Sequence, residues 1–309
     1  MTDAFPTPVL LATDGSEDAA LAARVAVELC RKAGSELQVV HVGQGISEYA
    51  AHFASPERYS FVVADEAREL LDEQVKSINR AGGLVAAAYL ELGSPAERIV
   101  ELAEELEAGL IVMGSRGLGP VERLVLGSVA EGVVHGAPCP VLVVRGGEGA
   151  WPPAAVVVGD DSSRASKEAG VLGARVGKLF GASTLLVRSY PKIPGFTDEV
   201  GEAAARQAED RSRQAEEVLE ERASELEGLL GRRPRTKVTV GDAAAFILKE
   251  ARRARPALIG VGCRGLGASG RARSDAMTLG SVSTKVLRAA EGPVLVYPPQ
   301  SRRSVEETV

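Results

Sequence analysis

Aromatic residues are scarce in this chain, at 4% of its 309 residues. A hydrophobic core must therefore be built from Val, Leu, Ile and Ala. Cysteine is also rare, and Cys30, Cys139 and Cys263 are too widely spaced for a disulfide framework or a CxxC metal site. Neither these cysteines nor the three histidines show metal-ligand spacing, so we expect reduced thiols and no metal site.

An excess of basic charge is missing as well. The chain has 36 Lys and Arg against 42 Asp and Glu, a net charge of −6. Nucleic-acid binders usually carry a basic excess, so we expect no nucleic-acid partner. No apolar stretch approaches the length of a membrane span, and residues 1–6 lack the pattern of a signal peptide. These features predict a cytoplasmic protein with no membrane partner.

An internal repeat is the dominant feature of the sequence. Six matched blocks follow one another in the same order, with offsets that rise from 146 (160 − 14, matching Asp14 with Asp160) to 153 (280 − 127). The largest step, 153 − 148 = 5 residues, lies between Gly265 and Gly280. The repeat predicts domain 1 at 1–148, domain 2 at 152–300 and a charged tail at 301–309.

Each copy alternates short apolar runs with helical patterns. In the first copy the runs lie at 8–13, 37–43, 84–90, 109–113 and 140–145. Ser16 and Gly34 bound the first predicted helix, and Ser94 to Glu97 resemble a capping box. The second helix is predicted near 58–80, and its longer counterpart near 198–230. Five strand–helix alternations predict a doubly wound parallel α/β sheet in each copy.

Candidate binding residues stand where the predicted strands end, because ligands of open parallel sheets bind beyond the carboxyl ends of the strands. Asp14 can accept hydrogen bonds from a ribose or an exocyclic amine, and glycines let phosphates approach the backbone. The N-terminus of a helix beginning near Ser128 favours anions. The set predicts a site for a phosphorylated nucleoside. The alternative is that these glycines serve only tight turns between strands and helices.

The spacing Gly114-x2-Gly117-x9-Gly127-Ser128 resembles the signature of ATP-binding members of the universal stress protein (UspA-like) family. The strand ends Thr-Asp-Gly-Ser and Val-Val-His-Val and the closing Cys-Pro-Val-Leu-Val-Val resemble it too. The resemblance covers nearly all of both copies. It implies a tandem universal stress protein with two five-stranded sheets of order 3-2-1-4-5, an adenine nucleotide alpha hydrolase-like fold.

The resemblance also implies roles for single residues. Asp14 is expected to contact adenosine and Val42 to line the adenine pocket, with the remaining candidates around the nucleotide: Thr13, Met113, Gly114, Arg116, Gly117, Gly127, Ser128 and Val129. The expected ligand is ATP, ADP or AMP, with or without Mg²⁺. The family's domains associate through their last strands, so residues 140–145 and 292–297 are candidates for an internal pseudo-dimer, with a homodimer as a further option.

Domain 2 departs from this pattern. Its candidate residues are Asp160, Gly262, Gly265, Gly280, Ser281 and Val282. Asp161 follows Asp160 where domain 1 has a glycine, Arg188 and Ser189 replace His41 and Val42, and the interval after the second motif glycine is 14 residues instead of 9. Either Arg271 and Arg273 contact phosphate, or the longer loop displaces the glycines. We expect a weaker second site.

Three functions fit these observations. The first is a nucleotide-binding regulator of a stress response that acts on a downstream partner. The second is an enzyme that hydrolyses ATP slowly or transfers adenylyl groups, although SGGxDS, HxGH and Walker A motifs are missing. The third is an interaction module with an empty pocket. The GxGxxG at 260–265 follows the fourth predicted strand of its copy, which does not favour a dinucleotide site.

Overall fold

The structure is a computed structural model that describes residues 5–44, 56–117, 126–190, 202–263 and 279–298. The chain divides into two compact units, and the division falls after Gly149. The candidate residue Gly265, the loop arginines Arg271 and Arg273, and the tail at 301–309 lie outside the described residues.

The described residues of domain 1 form five strands that alternate with four α-helices. These are β1 (Val9–Ala12), α1 (Glu17–Ala33), β2 (Leu37–Gln44), α2 (Pro56–Arg80), β3 (Val85–Gly93), α3 (Pro95–Glu105), β4 (Leu110–Gly114), α4 (Ser128–Gly136) and β5 (Val141–Val144). All five strands are parallel, in the order 3-2-1-4-5, which confirms the predicted topology. Strand order reverses between β1 and β4, where ligands bind in such sheets.

Domain 2 repeats the plan. Its elements are β6 (Ala155–Gly159), α5 (Arg164–Phe180), β7 (Ser183–Tyr190), α6 (Glu202–Leu230), β8 (Arg235–Val240), α7 (Ala243–Arg253), β9 (Ala257–Gly262), α8 (Ser281–Ala289) and β10 (Val294–Tyr297). Within this unit the strands are parallel in the order β8-β7-β6-β9-β10, the same winding as in domain 1.

Strands β1, β4 and β5 are buried along all or nearly all of their length, as strands covered on both faces of a parallel sheet require. Every residue of β1 and β5 is buried, and so are the first four residues of β4. The edge strand β3 instead alternates between half-buried and exposed residues over its first half. The core side chains are aliphatic, and the largest fully buried ones are all leucine and isoleucine.

The helix caps predicted from the sequence are present in the structure, with one exception. Ser16 accepts a hydrogen bond from the N–H of Ala19 and Gly34 closes α1 in the left-handed conformation, as predicted. Ser94 precedes α3, but its hydroxyl makes no capping hydrogen bond, so the predicted capping box is wrong. In domain 2 the equivalent Asp242 does cap its helix, because its carboxylate reaches the N–H of Ala245 at 3.0 Å.

The last residue of β4 lies against the first turn of α1. A Cβ built at Gly114 would be 2.8 Å from the carbonyl carbon of Asp18 and 2.9 Å from the nitrogen of Ala19. Domain 2 has the same contact, since a Cβ at Gly262 would be 2.8 Å from the nitrogen of Ser166. These atoms are backbone atoms and cannot rotate away. Both glycines are therefore needed for packing, whatever ligand the domains hold.

We expect Gly114→Ala and Gly262→Ala to destabilise their domains by about 1–3 kcal/mol, the usual cost of overpacking. The matched control is Gly228→Ala on an open face of α6, where no atom lies within 4 Å of the built Cβ. This change should stabilise by about 0.5–1 kcal/mol, because alanine is the better helix former. Thermal unfolding measures all three, and equal midpoints for the three variants would contradict the packing argument.

Candidate functional site

A cavity of about 620 Å³ lies in domain 1 at the carboxyl ends of β1, β2 and β4. Its volume is in the range of small-molecule sites. All ten candidate residues of this domain line it: Thr13, Asp14, Val42, Met113, Gly114, Arg116, Gly117, Gly127, Ser128 and Val129. Residues separated by more than 100 positions in the sequence thus share one pocket. Whether they bind a nucleotide stays a prediction.

Asp14 is held in a turn at the end of β1. Its Oδ1 accepts the N–H of Ser16 at 3.0 Å, and Gly15 between them has φ of +78°, which favours glycine. The other carboxylate oxygen, Oδ2, faces Gly117, where a Cβ would overlap it. Gly117 therefore leaves room for the Asp14 carboxylate. A larger residue at this position would displace the carboxylate and so disturb any group that it binds.

Helix α4 begins beside the loop that follows β4, where a Cβ at Gly127 would be 3.8 Å from the nitrogen of Gly117. The N–H of Gly127 donates to the carbonyl oxygen of Ser115 at 2.9 Å, which fixes the helix start against the end of β4. A Cβ at Gly127 would be 3.2 Å from that oxygen and 3.3 Å from the Cα of Arg116. Ser128 and Val129 open the helix and line the cavity. The N–H groups of a first helical turn and the helix dipole favour an anion there.

A buried carboxylate beneath the motif was missed by sequence reasoning. Asp18, 6% exposed, accepts the hydroxyl of Ser115 at 2.7 Å and two N–H groups of Arg116, from Nε at 3.0 Å and from Nη2 at 2.9 Å. These hydrogen bonds raise the pKa of Arg116. The guanidinium of Arg116 is thus engaged with Asp18, while the hydroxyl of Ser16 donates to the Arg116 carbonyl at 3.3 Å. Asp18 ties the glycine loop to α1.

Arg145 belongs to the same region. It follows β5, is 5% exposed, and its pKa is lowered by burial and by the charge of Arg116, against an opposing effect of Asp18. The available signal in the sequence was a charged residue at the end of an apolar strand, and an arginine inside a glycine-rich loop. Both need a counterion when buried, and Asp18 in the first turn of α1 is in reach.

The other end of the cavity is partly apolar, and the exposed Glu66 is the acidic residue in this part of its described lining. The ring nitrogen Nδ1 of His41 lies 2.8 Å from the carbonyl oxygen of Thr13, so that nitrogen carries the proton. The Thr13 hydroxyl donates to Oε1 of Gln74 on α2 at 3.3 Å. Sequence reasoning did not find the helix residues that line this end, namely Glu66, Ala67 and Leu70 of α2 and Pro95 and Ile99 of α3.

Domain 2 has its own cavity of about 450 Å³, and its described lining includes Asp160, Gly262, Gly280, Ser281 and Val282. The match of Asp14 with Asp160 is wrong, however. Helix α5 is capped by Ser163, whose N–H bonds Asp161 Oδ1 at 2.9 Å, just as the N–H of Ser16 bonds Asp14. Asp161 also lines the cavity and is the equivalent of Asp14.

The strand registers agree with this correction. Ala12 pairs with Val40 and Gly159 with Val187, a constant offset of 147. Ser162 then takes the place of Gly15, and it has φ of +67° although it is not glycine. Asp160 takes the place of Thr13. The sequence match followed residue identity, whereas the fold preserves the turn geometry.

The longer loop of domain 2 does not displace its last motif glycine. The N–H of Gly280 donates to the carbonyl of Cys263 at 2.7 Å, as the N–H of Gly127 does to Ser115. This rejects the alternative of displaced glycines for Gly280 and the start of α8. Cys263 itself is buried at the end of β9, at the position of Ser115.

Comparison with known proteins identifies the class. The model of the universal stress protein family matches residues 7–145 and again 154–298. The chain therefore belongs to the universal stress protein family and carries two of its domains in tandem.

Similar proteins agree with this assignment. Universal stress protein MJ0531 of Methanocaldococcus jannaschii is 37% identical over 139 residues, which are 44% of this chain and 81% of that protein. Among solved structures, a universal stress protein from Archaeoglobus fulgidus superposes over 94% of this chain and 98% of its own, with a TM-score of 0.66 and 24% identity. Protein PA1789 of Pseudomonas aeruginosa has a TM-score of 0.66 at 17% identity, over 94% of this chain and 92% of its own. At these identities the two superpositions show the fold alone.

Among the helices of the described residues, none combines the length and the apolar composition that a membrane span requires. Within the same part of the chain, no group of three or more His, Cys, Asp or Glu side chains is placed to hold a metal ion.

We expect the pair of Asp18 and Arg116 to be energetically coupled. Asp18→Ala should lower stability more than Arg116→Ala, because it removes the acceptor shared by Arg116 and Ser115. A double-mutant cycle measured by chemical unfolding should give a coupling of about 0.5–3 kcal/mol. The solvent-exposed pair of Lys285 and Asp242 serves as the control and should couple less. Coupling no larger than in that control would contradict the tie between loop and helix.

Proposed function

We propose that domain 1 binds an adenine nucleotide, ATP in the first place, and that occupancy regulates the protein in a stress response. The single observation that supports this most is the shared cavity. It brings together a carboxylate at the end of β1, an apolar wall from β2 and α2, and the N-terminus of α4. These are the surfaces that a ribose, a nucleobase and a phosphate chain require.

The chemistry of the lining residues assigns the ribose, the nucleobase and the phosphates to different regions of the cavity. The Asp14 carboxylate is an acceptor-only group, suited to the hydroxyls of a ribose. The apolar side chains of Val42 and Leu70 line the cavity, and Val42 stands on the partly apolar side, where a purine ring gains from leaving water. The first turn of α4 and the backbone at Gly114 to Gly117 lie where phosphates meet N–H donors. Mg²⁺ enters only with the nucleotide, since it binds through phosphates and one or two carboxylates.

Regulation requires that the nucleotide bind two states of the protein differently. The site offers a physical means, because Asp14, Ser16 and Arg116 connect the start of α1 with the loop that follows β4. A ligand between these elements would favour one arrangement of them. The downstream partner, the cytoplasmic location and the association of the two domains or of two chains remain part of the proposal.

Catalysis is the second candidate. In the described lining, Ser115 donates its hydroxyl to the Asp18 carboxylate at 2.7 Å, but Ser115 is fully buried, so this hydroxyl is not open to a substrate in the way that covalent catalysis needs. A steady-state turnover assay with ATP distinguishes the candidates. A rate near the enzyme median of about 10 s⁻¹ would favour an enzyme, whereas nucleotide that stays bound through many minutes would favour a regulator.

The direct test releases the ligand from the purified protein by denaturation and identifies it by mass spectrometry, followed by calorimetric titration with ATP, ADP and AMP. A purine nucleotide in the released fraction, or a saturable titration, supports the proposal. If no nucleotide is released and none binds on titration, the interaction module with an empty pocket becomes the better explanation.

Asp14→Ala should weaken nucleotide binding by about tenfold or more, because a hydrogen bond to a charged acceptor contributes about 1.5–3 kcal/mol. Asp14→Asn should also weaken it, although its Oδ1 can still accept the N–H of Ser16 and keep the turn. The matched control is Asp72→Ala, the loss of an exposed carboxylate on α2 that does not line the cavity. Normal affinity in both Asp14 variants, with unfolding unchanged, would rule out the assignment of Asp14.

A further inference from the structure

The helices that cover the two cavities are in register. Buried residues fall at Ala67, Leu71 and Ile78 of α2 and at Ala215, Leu219 and Leu226 of α6, a constant offset of 148. Arg222 therefore stands where domain 1 has Gln74. By the strand register, Arg188 stands in place of His41 and Asp160 in place of Thr13. Three residues that contact one another in domain 1 have changed together.

In domain 1 this cluster is uncharged. His41 and Gln74 each hydrogen-bond Thr13, at its carbonyl and at its hydroxyl. In domain 2 the cluster is ionic. Arg188 Nη1 lies 2.9 Å from Asp160 Oδ1 and 2.6 Å from the Ser162 hydroxyl, and Arg222 Nε lies 3.5 Å from Asp160 Oδ2, an ion pair longer than a hydrogen bond. The Asp160 side chain is 2% exposed. Arg222 also pairs with Glu225, one turn along α6, through Nη1 at 2.7 Å, so the Asp160 carboxylate lies between the guanidinium groups of Arg188 on β7 and Arg222 on α6.

The two cavities differ on this same side. In domain 1 the lining continues past His41 to the α2 residues Glu66, Ala67 and Leu70. In domain 2 the described lining contains Asp160 but neither Arg188 nor any residue of α6, and the volume falls from about 620 to about 450 Å³. The arginine side chains are longer than the histidine and glutamine side chains whose places they take. The space that reaches the covering helix in domain 1 ends at the ion cluster in domain 2.

The opposite side of the pocket keeps its backbone framework, although Ala165 stands in place of Asp18 and Pro298 in place of Arg145. Asp161 repeats the turn of Asp14, Gly262 repeats the packing of Gly114, and Gly280 repeats the hydrogen bond of Gly127. The described backbone of the phosphate side is therefore retained, while the space towards the covering helix is filled.

We propose that Asp160, Arg188 and Arg222 are specificity-determining residues that close domain 2 to adenine nucleotides. The inference rests on the proposed function of domain 1, which supplies the open pocket for comparison. The ion cluster occupies the part of the nucleobase compartment that reaches the covering helix in domain 1, while Ser189, in place of Val42, still lines the cavity, so domain 2 retains a pocket too short for the whole nucleotide. The chain then binds one adenine nucleotide, in domain 1, although it contains two copies of the same fold.

A change in net charge can separate steric filling of the pocket from electrostatic attraction of the nucleotide. Moving the cluster into domain 1 means Thr13→Asp, His41→Arg and Gln74→Arg together, a net gain of one positive charge with histidine neutral. A nucleotide is an anion, so simple attraction would tighten its binding. Filling of the compartment instead abolishes binding. The control Ser77→Arg adds the same charge at an exposed position of α2.

The experiment is calorimetric titration of the full chain with ATP. We expect one site in the unaltered protein and in Ser77→Arg, none in the triple variant of domain 1, and two sites when Asp160→Thr, Arg188→His and Arg222→Gln open domain 2. Thermal unfolding verifies that each variant is folded, and if one triple variant does not fold, the other decides.

Each other result is informative. Two sites in the unaltered protein would overturn the proposal, as would full affinity in a folded triple variant of domain 1 or a single site in a folded, opened domain 2. No binding in the unaltered protein would refute the proposed function itself, which separates the two failures.

Discussion

The contact between the end of β4 and the first turn of α1 determines where everything else in the site lies. Gly114 allows two backbones to approach to a distance that any Cβ would prevent. That approach brings Ser115 and Arg116 against Asp18, and it brings Gly117 against Asp14. The turn after β1 and the loop after β4 are distant in sequence but become one structure. Domain 2 makes the same contact at Gly262, which explains why both copies retain their pocket.

The two domains differ in where they bury charge. Domain 1 has Asp18, Arg116 and Arg145 around the start of α1 and the loop after β4, and the described counterparts of Asp18 and Arg145 in domain 2, Ala165 and Pro298, are uncharged. Domain 2 buries Asp160 with Arg188 and Arg222 on the side of the covering helix, where domain 1 has Thr13, His41 and Gln74. A buried ion pair contributes little net stability compared with apolar packing. These ion pairs are therefore better explained by the geometry that they hold than by net stability, and they lie on a different side of the pocket in each domain.

Most of the fold was predictable, because apolar runs and their repeat depend on local sequence alone. The alternation of strands and helices, the caps Ser16 and Gly34, and the sheet order implied by the family resemblance agree with the structure. The match of Asp14 with Asp160 failed because Ser162 adopts a left-handed conformation that sequence assigns to glycine. The partners Asp18 and Gln74 lie 98 and 61 positions from the residues that they bind, and only the fold brings them together.

The motif glycines have a structural explanation that is independent of any ligand. Gly114 avoids the backbone of α1, Gly117 avoids the Asp14 carboxylate, and Gly127 packs on Ser115 and Arg116. Gly262 repeats the first of these contacts in domain 2. A family signature made of such glycines therefore indicates that the pocket is built and does not by itself indicate what the pocket holds. The discriminating information lies one layer deeper, in the polar side chains that contact Thr13 in one domain and Asp160 in the other, because these set how far the cavity extends towards the covering helix.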